Sequence, residues 1–246
     1  MVSKNQKKLI KSLYQKKYRK QHGLFVAEGK KVINELLSAG LLLHQLYTIN
    51  EDVFKVTEDV MHTITLDELK KISFLTTPQT ALAVFRIPEP KEIDTSGLVI
   101  ALDDVRDPGN LGTIIRLCDW FGVPDLVCST QTVDCYNPKV IQATMGSITR
   151  VNITYLDLAE FLSLQKLNTQ LFGTFMQGDS LYSKIVPEQA VIVMGNEANG
   201  IRKEIEALLT DMITIPQFGT HKETESLNVA TATAVVLSEF RRVSLR

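Results

Sequence analysis

The chain has 246 residues, of which 44% are hydrophobic and 22% charged, and its formal net charge is −1. This composition is that of an ordinary globular protein with one large or two modest domains. It contains no run near the roughly 18 apolar residues of a membrane span, and its basic start lacks the apolar core of a secretory signal. The three cysteines lack metal-site spacing, which predicts a reducing, cytoplasmic protein without metal or disulfides.

The net charge hides a strongly basic N-terminal segment. Eight lysines and arginines precede Gly23 with no acid among them, and subtracting their charge from −1 leaves −9 for residues 24–246. A basic segment on an acidic protein is typical of contact with a polyanion, and a solvated terminus is the alternative. The candidate contact residues are Lys7, Lys8, Lys11, Lys16, Lys17 and Arg19.

Residues 1–90 predict a small α/β domain that begins with one basic helix over 3–20. Its strands are predicted at 25–28, 43–49, 61–65 and 81–87, with helices at 30–38 and 66–74. Either Thr65 or Asp67 can cap the last of these helices. A proline-rich polar stretch at 88–97 predicts a linker, placed at 91–97, to a second domain.

Beyond the linker, residues 98–246 alternate strand and helix patterns. This alternation predicts an α/β domain with a mainly parallel sheet and helices on both faces. The predicted strands are 98–102, 126–129, 151–155, 171–176, 191–194 and 212–215. The predicted helices are 111–121, 138–147, 158–167, 202–209 and 228–241.

The helix over 111–121 carries the first group of candidate site residues. Asn110 stands at its start, either as the N-cap or as a ligand-contacting residue. The stripe Leu111, Ile114, Ile115, Cys118 and Phe121 is predicted to be buried, with Cys118 as a core residue and not a reactive thiol. Arg116 lies on another face with Thr113 and Trp120, either paired with an acid such as Asp119 or serving the site.

Two further polar loops follow predicted strands, and open α/β sheets bind ligands at such strand ends. Gly195 and Gly200 bracket a loop that carries Glu197, which either caps the next helix or belongs to the site. Ile201-Arg202 replaces the Lys-[Ser/Thr] of a P-loop, which argues against nucleotide hydrolysis. The second loop leads from Ile215-Pro216 to Ser226-Leu227-Asn228, where Ser226 and Asn228 are both good N-cap types.

Together these loops resemble the three motifs of the SpoU (TrmH-type) RNA 2′-O-ribose methyltransferases of the SPOUT superfamily. The matching segments, in the family's order, are Asn110-x-Gly112-x-x-x-Arg116, Gly195-Asn196-Glu197-x-x-Gly200, and Ile215-Pro216 with Ser226-Leu227-Asn228-Val229. The start of the first domain, residues 25–29, resembles the family's N-terminal substrate-binding domain, so the basic residues named above are expected to bind RNA.

The resemblance implies methylation of a ribose 2′-hydroxyl in tRNA or rRNA, with S-adenosylmethionine as donor and a trefoil knot in the second domain. It implies that the residues at the reacting groups are Asn110, Arg116, Glu197, Ser226 and Asn228. It implies cofactor contacts, largely through main-chain groups, by Gly195, Asn196, Ile215 and Leu227. It also implies a homodimer that forms through the apolar side of the last helix. The alternative is that this side is buried within its own domain. The side consists of Val229, Ala232, Thr233, Val236, Leu237 and Phe240.

The guanidinium of arginine keeps its proton in proteins, so we expect Arg116 to hold phosphate and ribose and not to act as a free base. The loop at 217–225, with His221, Lys222, Glu223 and Glu225, is longer than the family's usual loop. This departure leaves open the alternative of a catalytically silent RNA-binding or ribosome-assembly factor. The resemblance leaves base methylation open as well, because some SPOUT relatives perform it.

Overall fold

The computed structural model describes residues 1–219 and 226–243, and the chain forms two compact units. The first unit consists of Met1–Glu89 and Asp134–Thr149. The second consists of Pro90–Val133 and the described residues from Arg150 onward. The sequence pattern placed residues 134–149 in the second domain, whereas in the structure they pack with the first unit.

The first unit contains a four-stranded mixed sheet. Strands β1 (Leu24–Glu28) and β2 (Leu43–Thr48) both pair antiparallel with β4 (Ala81–Arg86), and β3 (Met61–Thr63) pairs parallel with β2. The predicted strands are confirmed to within two residues at each end, and β1 and β4 are buried apolar runs between polar turns.

Five α-helices belong to this unit: α1 (Lys4–Ser12), α2 (Lys16–His22), α3 (Lys30–Ser38), α4 (Leu66–Ile72) and α6 (Pro138–Thr144). Thr65 is the N-cap of α4, in a capping box with Glu68. The prediction of a single helix over 3–20 was wrong. Arg19 is only 2% exposed, and its guanidinium donates to the carbonyl oxygens of Leu13 (2.8 Å) and Tyr14 (2.7 Å), where α1 gives way to α2.

The second unit contains a six-stranded sheet in the order β10-β8-β9-β5-β6-β7, and every neighbouring pair is parallel. This confirms the predicted parallel sheet. All residues of β5, β6 and β9 are buried, as expected for strands covered on both faces. The strands are β5 (Leu98–Leu102), β6 (Asp125–Ser129), β7 (Asn152–Leu156), β8 (Gln170–Ser180), β9 (Ala190–Met194) and β10 (Asp211–Thr214).

The helices of this unit are α5 (Pro108–Trp120), α7 (Leu158–Gln165), α8 (Lys203–Glu206) and α9 (Val229–Val243). Helix α5 begins three residues before its predicted start. Asp107 is its N-cap and accepts from the Asn110 N–H at 2.8 Å, and Pro108 fills the first helical position, where an N–H is not needed. The N-cap role considered for Asn110 was therefore wrong.

Helix α9 packs on α5 and turns most of its apolar side into its own unit. Val229, Thr233, Val236 and Leu237 are buried, and the Phe240 ring meets Phe172 edge-on at 5.2 Å. The alternative of burial within the domain is thus realised for most of this side. No helix of the described residues has the length and apolarity to cross a membrane. The trefoil knot remains a prediction.

Candidate functional site

The site begins where two adjacent strands end. Leu102 of β5 lies opposite Met194 of β9, so the loops after both strands leave the same edge of the sheet. Asp103 follows Leu102, and its N–H donates to the Met194 carbonyl at 2.9 Å. Its buried carboxylate accepts two bonds from Arg202, from the main-chain N–H and from Nε, both at 2.8 Å. The start of α8 is therefore fixed to the end of β5.

The loop at 195–200 is tightly closed by its own main chain. Asn196 and Gly200 exchange two hydrogen bonds, at 3.0 and 2.9 Å, and Gly200 is left-handed with φ +68°. The Asn196 side chain accepts from the N–H groups of Ala198 and Asn199. A Cβ on Gly195 would lie 2.4 Å from the Gly200 carbonyl carbon, so only glycine fits there.

Asp104 connects this loop to the loop that precedes α5. It adopts a left-handed conformation (φ +62°), which is uncommon for a residue other than glycine. Its N–H donates to Ser129 Oγ at 2.9 Å, and its carbonyl accepts from Asn196 Nδ2 at 2.6 Å. Its carboxylate accepts two bonds from Arg106, both at 2.8 Å. The sequence reasoning missed Asp103 and Asp104, although a pair of acids directly after a buried strand was the available signal.

Three of the predicted site residues form a hydrogen-bonded chain, which we call the amide–carboxylate cluster: Asn228, Asn110 and Glu197. Asn228 Nδ2 donates to Asn110 Oδ1 at 2.8 Å, and Asn110 Nδ2 donates to Glu197 Oε1 at 2.7 Å. Asn228 also caps α9, because its Oδ1 accepts from the N–H groups of Ala230 and Thr231. Glu197 does not cap α8, whose N-cap is Arg202, so that alternative was wrong.

A cavity of about 900 Å³ lies beside the cluster. Its lining includes all four residues predicted to contact the cofactor, which are Gly195, Asn196, Ile215 and Leu227. Glu197 and Ser226 also line it. The volume is in the range of sites for small organic ligands. Glu197 belongs to both the cavity lining and the cluster, so it connects the predicted cofactor-binding residues with the predicted catalytic residues.

Arg116 lies on the exposed face of α5 with Thr113 and Trp120, as predicted, and Trp120 is 85% exposed. Its suggested partner Asp119 instead pairs with Arg150 at 2.9 Å. Arg116 makes no hydrogen bond or ion pair with residues 1–219 or 226–243, and therefore none with the cluster. The arginine is therefore a solvent-facing cation on the helix that carries Asn110.

The opposite stripe of α5 is buried at four of the five predicted positions, and Phe121 is half-buried at the helix end. Arg241 of α9 donates to the Phe121 and Gly122 carbonyls at that end, at 2.7 and 2.6 Å. Burial raises the pKa of the Cys118 thiol far above its usual value, so Cys118 is an unreactive core residue, as predicted.

The basic N-terminal residues do not all face solvent. Five of the six candidate residues are exposed: Lys7, Lys8, Lys11, Lys16 and Lys17. Arg19 is buried, and it donates from Nε and Nη2 to Asp134 Oδ2 at 2.8 and 2.5 Å. Assigning RNA contact to Arg19 was wrong, because its guanidinium is fully used inside the first unit.

The predictions for His221, Lys222, Glu223 and Glu225 lie outside the described residues. Among the residues that the structure does describe, no group of three or more His, Cys, Asp or Glu side chains is arranged to hold a metal ion.

Comparison with known families assigns both parts of the chain. Residues 97–238 match the SpoU rRNA Methylase family, and residues 4–83 match an MRM3-like substrate binding domain. A Bacillus subtilis relative, the 23S rRNA (guanosine(2553)-2′-O)-methyltransferase RlmP, is 28% identical over 97% of both chains. The RlmB 23S rRNA (guanosine-2′-O-)-methyltransferase of Neisseria meningitidis is 36% identical over 59% of this chain and 58% of its own.

Two solved structures are similar over essentially the whole chain. A Porphyromonas gingivalis protein assigned to the TrmH family of RNA methyltransferases is 38% identical and covers 99% of both chains, with a TM-score of 0.90. An AdoMet-bound rRNA methyltransferase from Sinorhizobium meliloti is 30% identical and covers 100% of this chain and 98% of its own, with a TM-score of 0.86.

Proposed function

Because the chain belongs to the SpoU rRNA methylase family, we propose that it transfers a methyl group from S-adenosylmethionine to a ribose 2′-hydroxyl of ribosomal RNA. The predicted family and reaction class are confirmed by these relatives, which narrow the expected RNA from tRNA or rRNA to rRNA. The observation that carries the proposal is the amide–carboxylate cluster beside a cavity lined by all four expected cofactor contacts.

The cavity suits S-adenosylmethionine in size and in the kind of groups that line it. Gly195, Asn196, Ile215 and Leu227 would hold it, with the closed 195–200 loop presenting main-chain groups. When bound, S-adenosylmethionine supplies an electrophilic methyl group on a sulfonium. The two hydrogen bonds between Asn196 and Gly200 hold this loop in one conformation, which lowers the cost of ordering it on binding.

Glu197 is the residue that we expect to act on the hydroxyl. Its Oε1 is occupied by Asn110, whereas Oε2 accepts no hydrogen bond from the described part of the chain. A carboxylate oxygen at the cavity can accept the hydrogen bond of the ribose 2′-hydroxyl and take its proton as the methyl group is transferred. Asn110 and Asn228 keep that carboxylate in one orientation.

Arg116 fits a different role. An arginine guanidinium keeps its proton in proteins, and the described residues leave the guanidinium of Arg116 unpaired. A planar guanidinium binds phosphate oxygens bidentately, which a lysine ammonium cannot do. Arg116 therefore holds the backbone phosphate of the target nucleotide, and positioning of this kind supplies up to about 7–11 kcal/mol of a two-reactant barrier.

The target is a guanosine of 23S rRNA, since two relatives are named as methylating guanosine in that RNA. The family resemblance supports a homodimer. Because the larger part of the α9 apolar side is buried within its own unit, the dimer would use the half-buried positions Ala232, Ala234 and Val235 beside it. Three buried, reduced cysteines are consistent with a reducing compartment such as the cytoplasm.

The direct test is methylation of rRNA from a strain that lacks this gene, with isotope-labelled S-adenosylmethionine and nucleoside mapping. The expected product is 2′-O-methylguanosine in 23S rRNA. Label on a base would identify base methylation instead. Calorimetry with S-adenosylmethionine distinguishes a methyltransferase from a catalytically silent RNA-binding factor. A folded chain that binds no cofactor and labels no RNA would be the silent factor.

A further inference from the structure

The first unit carries an exposed aromatic ring, that of Tyr14, with Lys11 and Lys139 nearby. Tyr14 lies at the break between α1 and α2 and is 48% exposed. Its ring contacts Phe74 at a centroid distance of 5.3 Å and an angle of 55°. The break is held by the buried Arg19, which donates to the Tyr14 carbonyl, so the position of Tyr14 is fixed by a buried ion pair.

The ring behind Tyr14 is equally well fixed. The Phe74 N–H donates to the buried carboxylate of Glu28 at 2.7 Å, and Ser73 Oγ donates to the same carboxylate. Lys11 Nζ lies 5.2 Å from the Phe74 ring centroid and donates to the Ser73 carbonyl at 2.9 Å. Tyr14 therefore rests on a rigid base with a positive charge at its side.

Helix α6 completes this surface. Tyr14, Glu28 and Phe74 share a shallow depression with Lys139, which is exposed, and Gln142, which is half-buried. Its volume of about 30 Å³ holds one water molecule and not a nucleobase. A planar ligand must therefore lie over the exposed Tyr14 ring and not inside the depression.

We propose that Tyr14 is a stacking platform for one unpaired base of the substrate RNA, with Lys11 and Lys139 at the flanking phosphates and Gln142 at the base edge. An exposed aromatic ring among lysines is the combination with which proteins bind single-stranded nucleic acid. The inference rests on RNA being the substrate and adds the nucleotide-binding site of the first unit, separate from the site of methyl transfer.

Binding of the full chain to a 23S rRNA transcript and to single-stranded octauridylate, without S-adenosylmethionine and at fixed salt, tests this inference. Tyr14→Ala is expected to weaken binding roughly 5- to 150-fold, whereas Tyr14→Phe keeps the ring and binds like the unaltered chain. Tyr14→Ala should leave the salt dependence of binding unchanged, whereas Lys11→Ala should reduce its slope by about 1. Leu42→Ala, at a 68% exposed apolar position of the same unit, is the matched control.

Photo-crosslinking of the unaltered chain to 5-bromouridine-substituted transcript gives a readout that needs no variant. A crosslink at Tyr14 is expected. Equal affinity of Tyr14→Ala and the unaltered chain, or crosslinks elsewhere in the first unit only, would overturn the inference. A chain that binds RNA through Tyr14 yet transfers no methyl group would overturn the proposed function and leave this inference intact.

Discussion

Asn228 donates its side-chain amide to Asn110 across 2.8 Å, although the two residues are 118 positions apart. The same Asn228 caps α9 with its Oδ1, and the same Asn110 donates to Glu197. Each amide thus has one orientation, because its oxygen and its nitrogen have different partners. The start of α9 and the start of α5 are held together by the group that positions the carboxylate.

Asn110→Ala should release Glu197 from this chain. We expect the turnover number to fall by about 10²-fold, the effect of misplacing a reacting group by about 1 Å. Single-turnover methylation and calorimetry measure the two relevant quantities. The dissociation constant of S-adenosylmethionine should stay the same, and a variant with normal turnover would show that the cluster does not position Glu197.

Glu197→Gln keeps the oxygen that accepts from Asn110 but removes the charge and the proton acceptor. Loss of a general base lowers turnover by about 10²- to 10⁴-fold. Single-turnover methylation measures this loss, and calorimetry shows whether S-adenosylmethionine still binds. If the Gln variant turns over like the unaltered chain, Glu197 is not the base.

Arg116→Lys keeps the positive charge and removes the planar fork. Two charge-assisted hydrogen bonds become one, so kcat/KM for RNA should fall by about 10- to 150-fold. Steady-state kinetics with the mapped rRNA segment measure this loss. Arg242→Lys is the matched control, because Arg242 is an exposed helix arginine paired with Glu239. Near-normal turnover of Arg116→Lys would exclude bidentate phosphate binding.

Gly195→Ala should open the 195–200 loop. The new Cβ would meet the Gly200 carbonyl carbon at 2.4 Å and the Ile201 nitrogen at 2.5 Å, and both are backbone atoms that cannot rotate away. We expect destabilisation of about 1–3 kcal/mol in urea unfolding and loss of S-adenosylmethionine binding by calorimetry. Gly97→Ala, whose Cβ would meet no atom within 4 Å, should change neither.

Glu28→Gln tests the buried carboxylate of the first unit. Burial raises the pKa of Glu28 above 4.5, against the opposing effects of its hydrogen bonds from Ser73 and Phe74 and of the Lys11 charge. A raised carboxyl pKa contributes stability below the unfolded value that is lost as pH rises through the folded value. The free energy of unfolding of the unaltered chain, relative to Glu28→Gln, should therefore decrease as pH rises above about 4.5 and then level off. Urea unfolding between pH 4 and 8 measures it, and an increase with pH would contradict the assignment.

Local sequence patterns were sufficient to predict the strands and most of the helices. Residues such as those of β5 and β9 form buried apolar runs between polar turns, so period and turn chemistry define them. The motif residues were located by family resemblance, and their approach depends on parallel strands ending at one edge. Arg19 shows what local sequence patterns cannot predict, which is an ion pair between residues far apart in the chain. Its partner Asp134 is 115 positions away, so a local pattern predicts a solvated helix arginine.

Asp104 shows a second limit, because its left-handed backbone is stabilised by Ser129, Asn196 and Arg106, each from a different loop or strand. No local rule selects that conformation for an aspartate. The same holds for residues 134–149, whose helical pattern is correct but whose packing partner was assigned to the wrong unit.

The first unit is built from two separate segments of the chain, which limits how it can be excised from the protein. Cutting the chain after Glu89 is the obvious way to transfer the first unit to another enzyme, but the excised piece would lack Asp134. Arg19 would then carry a charge into an interior that no longer neutralises it, a penalty of about 3–5 kcal/mol that is a large fraction of a small domain's stability. The first unit therefore cannot be transferred as the single segment before the linker, and any chimera must include both of its segments.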